Sequence, residues 1–220
     1  MAAVNDAAAV ASGVEAVRAR IAAAGGTPDT VRIVAMVKGF PADAVRAAVA
    51  AGVADVGESY AQDLAAKAAE LADVDVRWHF AGRLQTNKVR LLAPHVSLWH
   101  SVDRPEVGAE VARRAAGAHV LVQVNVSGEP QKGGCDPAAA PTLVAELRER
   151  GLAVDGLMAI GPLGPPEAAR PGFRRLAGLA DELGLGERSM GMSGDIEVAV
   201  EEGATIVRVG TGLFGPRPGR

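Results

Sequence analysis

Cysteine is nearly missing from this chain: Cys135 is the one thiol among 220 residues. A lone cysteine excludes a disulfide framework and any cysteine-based zinc site. The four histidines form no HExxH or HxH pattern, so no metal centre is expected. Aromatic residues make up 3% of the chain, which leaves the core to Val, Leu, Ile and Ala. No apolar run approaches the roughly 20 residues needed to span a bilayer. The opening MAAVNDAAAVASGVEAVRAR lacks a positive segment followed by an apolar core, so no secretory signal is read. Together these absences predict a soluble, cytoplasmic protein. A basic surplus is missing too: 23 Lys and Arg face 26 Asp and Glu, a formal net charge of −3, which argues against a nucleic-acid partner. The charged share of 22% is ordinary and excludes wholesale disorder. Lysine is the last scarcity. Only Lys38, Lys67, Lys88 and Lys132 supply an amine.

What is present is a regular alternation. Val10, Val14, Val17 and Ile21 lie on one helical stripe that stops at Gly25-Gly26. The apolar run 31–37 then reads as a strand, and Pro41-Ala42-Asp43 opens a helix ending near Gly52. Further strands are predicted at 53–57, 76–81, 96–101, 119–126, 154–159, 188–193 and 205–210. Helices are predicted at about 60–72, 84–93, 104–117, 137–150, 167–183 and 195–202. Asp136-Pro137 supplies an N-cap and a first-turn proline, while Gly151 and Gly203 close their helices. Each of the eight strands except the last is followed by a helix. That pattern predicts a single α/β domain over residues 1–220, a (β/α)8 TIM barrel with an additional N-terminal helix. A doubly wound open sheet is the rival, but Lys38-Gly39-Phe40-Pro41 follows the first strand where that fold places a GxGxxG loop.

Active groups of a barrel gather at the C-terminal strand ends. The first strand ends at Lys38. At the mouth of an apolar barrel a lysine is desolvated, which lowers its pKa and frees the amine for Schiff-base chemistry. The alternative is a strand-end lysine with its head in solvent. Ser193-Gly194-Asp195 follows the seventh strand and Gly210-Thr211-Gly212 the eighth, the usual phosphate position of this fold; the plainer reading makes Ser193 a helix cap and the glycines turns. Arg208 shares a strand face with Gly210, so it points into the site if Gly210 does, or lies under the helices if the register is reversed. His79 reads as a structural histidine within its strand, and His119 as lying at the opposite end. Cys135 is given no role.

The segments IVAMVKGFPADAV, VGESYAQDL, RWHFAGRLQTNKVR, HSVDRPE, VLVQVNVSGEPQKGG, VDGLMAIGP and SMGMSGDIEVAVEEGATIVRVGTGLFG span most of the chain in order. They resemble the pyridoxal 5′-phosphate homeostasis proteins, single-domain relatives of the alanine racemase N-terminal barrel. The resemblance implies that Lys38 carries pyridoxal 5′-phosphate as an internal aldimine. It implies that Ser193, Gly210 and Thr211 hold the phosphate and that Arg208 faces the pyridine nitrogen. Asn125, Met158 and Met192 would line the ring pocket, with Gly82, Ser101 and the 57–60 loop around it. Val37, Gly39 and Phe40 flank the lysine where relatives often have a small hydroxyl residue before it and a Thr-Lys pair after it, and Ser59 stands where Asn is usual.

Three functions follow. The first is a carrier that holds the cofactor for vitamin B6 homeostasis and hands it to pyridoxal-phosphate-dependent apoenzymes, as a monomer or weak dimer. The second is a low-activity amino-acid racemase in which Lys38 supplies one base and Tyr60 or a neighbouring protomer the other; related racemases draw their second base from a further domain, which a chain of this length is not expected to hold. The third is a Schiff-base aldolase for a phosphorylated sugar, with no cofactor.

Overall fold

The computed structural model describes residues 7–217. Eight parallel strands close into a barrel in chain order: β1 (Arg32–Met36), β2 (Asp55–Glu58), β3 (Arg77–Phe80), β4 (Val96–Val102), β5 (His119–Gln123), β6 (Ala153–Met158), β7 (Glu187–Ser189) and β8 (Ile206–Val209). The expected (β/α)8 barrel with an N-terminal helix is therefore the observed architecture. The open sheet is excluded by the seam that pairs β8 with β1, Val34 opposite Arg208. Helix α1 (Ala7–Ala23) precedes the barrel. The others are α2 (Ala42–Ala50), α3 (Ala61–Glu70), α4 (Thr86–Leu92), α5 (Pro105–Arg114), α6 (Ala140–Glu149), α7 (Arg170–Glu182), α8 (Ile196–Glu201) and α9 (Thr211–Phe214).

Strand side chains alternate between two apolar layers. Val34, Met36, Leu98, Leu121, Met158 and Ile206 meet inside the barrel. Ile33, Ala35, Val207, Val209 and Trp99 face the helices, where Leu147, Phe173 and Leu176 pack on them. Each of the larger side chains contributes on the order of 1.5–3 kcal/mol by leaving water. The inward parity of Val34 and Met36 continues to Lys38, which is how the first strand delivers its amine to the mouth. Gly57 makes this packing possible, because a Cβ there would lie 2.3 Å from the Met36 sulfur. On α1 the predicted stripe of Val10, Val14, Val17 and Ile21 is buried.

Three expectations need correction. The last strand is followed by a helix after all, the four-residue α9. The seventh strand is not 188–193 but ends at Ser189, because Gly191 takes φ +92° and a Cβ there would sit 2.5 Å from that of Ala199. The fifth strand stops at Gln123, beyond which Val124 bridges Cys135 in the following loop.

Candidate functional site at the barrel mouth

A cavity of ≈ 200 Å³ opens at the C-terminal strand ends, lined by Met36, Lys38, Ala81, Met158, Ile160, Met192, Ser193, Gly194, Arg208, Gly210, Thr211 and Arg217. Seven of the eight site residues expected from sequence meet there. The exception is Asn125, whose side chain turns into its own loop: Nδ2 donates to the Glu129 carbonyl at 3.1 Å and Oδ1 accepts from the Gly128 amide at 3.0 Å.

Lys38 is half-buried, and burial is the main cause lowering its pKa, with the positive charges of Arg217 and Arg208 adding to the effect. The backbone beneath it is pinned. Lys67 of α3, itself buried, donates to the Val37 carbonyl at 2.8 Å and to Glu58 Oε2 at 2.6 Å. Glu58 Oε1 in turn accepts from the Ser59 amide at 2.7 Å. Such a buried pair is costly to break, since either partner alone would be an uncompensated charge. Lys67 is thus no spare amine, and Lys132 is similarly engaged with the Gly161 carbonyl at 3.1 Å.

Arg208 points into the barrel, which settles its register. Its Nη1 donates to the Ser189 carbonyl and hydroxyl, both at 2.7 Å, and Nη2 donates to the Ala159 carbonyl at 2.8 Å. Burial pulls its pKa down to about 10, still far above neutrality, so the guanidinium stays charged. Among the described residues it has no carboxylate in ion-pair contact.

The loops after β7 and β8 are tied to each other and to α1. Ser193 Oγ accepts from the Gly212 amide at 3.1 Å, so its hydroxyl serves α9 and not its own helix. Arg20 of α1 donates to the Ser193 carbonyl at 2.8 Å and pairs through two nitrogens with Glu197 of α8. The amide of Thr211 begins a helix, where the first N–H groups have no intrahelical acceptor. Two features escaped the sequence reading. Arg217 brings a third cation to the rim. Asp55, His79, His100 and Ser189 form a buried polar line below Arg208. Cys135 lies outside the cavity, and burial pushes its thiol up to about 11, which keeps it unreactive near neutrality. No cluster of potential metal ligands occurs among the described residues, and no described helix is long and apolar enough to cross a membrane.

Residues 6–218 match the family model for the alanine racemase N-terminal domain, which sets the class of barrel. Within that class the chain belongs to the pyridoxal phosphate homeostasis proteins. It is 46% identical to the protein of that name from Pseudomonas aeruginosa, covering 94% of this chain and 96% of the relative. The one from Aquifex aeolicus is 45% identical over 82% of this chain and 84% of its own. The structure of PipY from Synechococcus elongatus with PLP bound superposes with a TM-score of 0.78 at 36% identity, covering 90% of this chain and 100% of that one.

Proposed function

We propose that the protein binds pyridoxal 5′-phosphate in the mouth cavity, held covalently through Lys38, and serves intracellular vitamin B6 homeostasis as a carrier. The observation that carries the reading is the convergence on one cavity of a desolvated lysine, a buried guanidinium and a run of small residues.

The residues fit the cofactor's parts. Met36, Met158, Ile160 and Met192 offer apolar walls to a flat ring. Ser193, Gly194, Gly210 and Thr211 leave backbone and hydroxyl donors open to a phosphate, with Arg217 adding positive charge. Arg208, lacking an acid partner, has spare capacity for an acceptor on the ring. Pyridoxal phosphate, when bound, supplies an aldehyde for reversible attachment and a conjugated ring that spreads negative charge. A guanidinium can only donate, so Arg208 favours an unprotonated ring nitrogen and weakens that charge-spreading.

Racemisation needs an acid and a base on opposite faces of the substrate Cα. Among the described lining residues, Lys38 is the one side chain able to serve as a base. Tyr60 is 48% exposed and lies outside the lining. Both features favour a carrier over an enzyme. Mixing the protein with pyridoxal phosphate, reducing with borohydride and mapping peptides by mass spectrometry should place the adduct on Lys38. An adduct chiefly on Lys67, Lys88 or Lys132 overturns the assignment. A panel of amino acids at saturating cofactor should give no substantial racemisation, transamination or decarboxylation; a kcat near the enzyme median of about 10 s⁻¹ refutes the carrier reading.

A further inference from the structure

Five side chains from five strands form an unbroken hydrogen-bonded line through the barrel interior. His79 Nε2 lies 2.9 Å from Asp55 Oδ1, His79 Nδ1 2.8 Å from His100 Nε2, and His100 Nδ1 2.9 Å from Ser189 Oγ. Ser189 Oγ then accepts from Arg208 Nη1 at 2.7 Å. All five residues are at least 94% buried. The two ends of the line open on different cavities. Arg208 lines the mouth, while Asp55 lines a second cavity of ≈ 210 Å³ at the N-terminal strand ends, with Arg18, Arg32, Ile33 and Val53.

One consistent set of donors and acceptors can be built from both ends. Asp55 is opposed by burial, yet the hydrogen bonds from His79 and Arg77 outweigh that and hold its carboxyl well below the usual carboxylate range. An ionised carboxylate only accepts, so His79 carries a proton on Nε2; with that ring neutral, Nδ1 is left as an acceptor. His100 must then carry its proton on Nε2, leaving Nδ1 to accept from the Ser189 hydroxyl. Burial keeps His100 neutral, as this assignment requires. From the other end, Arg208 only donates, so it needs the Ser189 oxygen as an acceptor. One hydroxyl meets both demands. In this arrangement every proton along the line points from Arg208 toward Asp55, and no member competes with its neighbour.

We propose that Asp55, His79, His100 and Ser189 are positioning residues that act in series on Arg208, so that a carboxylate at the far end of the barrel governs the environment of a ring bound at the mouth. The line supplies Arg208 with a fixed acceptor and, through successive polarised bonds, a share of a distant negative charge. The effect on the ring rests on the pyridoxal phosphate reading; the line itself does not.

The test therefore has two arms. In the unliganded protein, ring nitrogen NMR should give the Nε2–H tautomer for both His79 and His100; an Nδ1–H tautomer at either ring overturns the proposal. In the loaded protein, Asp55→Asn and Ser189→Ala should each move the pH midpoint of the bound chromophore's absorbance by roughly half a unit or more. Leu121→Ala, which truncates an apolar neighbour inside the same barrel, should lower stability and leave that midpoint in place. If Asp55→Asn does not fold, Ser189→Ala carries the second arm alone. Midpoints unchanged in the polar variants, or moved equally by Leu121→Ala, refute the series. Failure of the wild-type protein to bind pyridoxal phosphate would sink the cofactor reading and leave the NMR arm to decide the line.

Discussion

The two ends of the barrel hold cavities of nearly the same size, ≈ 210 Å³ at the N-terminal strand ends and ≈ 200 Å³ at the mouth, and differ in how their charges are settled. At the N-terminal end the charges close on one another. Arg77 clasps Asp55 through two nitrogens, Arg32 meets Glu187, His119 meets Asp155 at 2.8 Å, and Arg18 meets Glu15 at 2.7 Å. At the mouth, Lys38, Arg208 and Arg217 stand together with no acid in ion-pair contact among the described residues. Volume alone would not tell the ends apart. Unbalanced positive charge beside small residues is what marks a place for an anion.

Lys38→Ala should break this contrast most severely. Covalent attachment of pyridoxal phosphate is lost altogether, its visible absorbance disappears, and circular dichroism and thermal melting stay close to wild type because the amine lies at the rim. Thr211→Ala should follow. A hydrogen bond to a charged group contributes about 1.5–3 kcal/mol, so affinity for pyridoxal phosphate falls roughly ten- to a hundredfold by titration. Pyridoxal without the phosphate should bind wild type and variant alike; equal weakening of both ligands would make Thr211 structural.

Acid unfolding sharpens the other end. Because the folded protein depresses the Asp55 pKa, the stability that group contributes is complete above its unfolded value of about 3.9 and is lost as pH falls below it. The difference in urea midpoint between wild type and Asp55→Asn should therefore be constant at neutral pH and shrink below about pH 4. A difference that grows on acidification would contradict the paired state of Asp55. Arg20→Ala, which frees the Ser193 carbonyl and Glu197, should weaken cofactor affinity by a smaller factor than Thr211→Ala. His119→Ala should do least. Its pair with Asp155 is exposed, so a stability change within about 0.5 kcal/mol and no change in binding are expected from melts and titrations.

Much of the architecture was legible because strand runs and helical stripes repeat on their own periods. Parity put Arg208 and Gly210 on one strand face, and the structure turns that face inward, as it does for Met36 and Lys38. What failed was local or long-range. Ser-Met-Gly-Met-Ser alternates like a strand, and only the positive φ of Gly191 shows why it stops being one. The four-residue α9 is too short to leave a periodic signature. Asn125 sits at a strand end, as a pocket residue would, but its amide finds closer partners in its own loop. The Asp55–Arg208 line joins residues up to 153 positions apart, so no window of sequence contains it. Lys67 falls within the predicted helix 60–72, and its contacts with the Val37 carbonyl and Glu58 join it to the ends of two strands that no helical period reveals.

The contact between α1 and α9 carries a consequence in time. Gly13 lets the two helices approach so closely that a Cβ there would lie 2.8 Å from the Leu213 carbonyl oxygen. These residues are 200 positions apart, and α1 leaves the ribosome before every strand of the barrel. Its buried side chains meet α2 early, but the part of their surface made by α8 and α9 comes only after most of the barrel. The helix that grips the Ser193 loop thus precedes the barrel in the chain, and it can complete that grip only once the segment after β7 has been made.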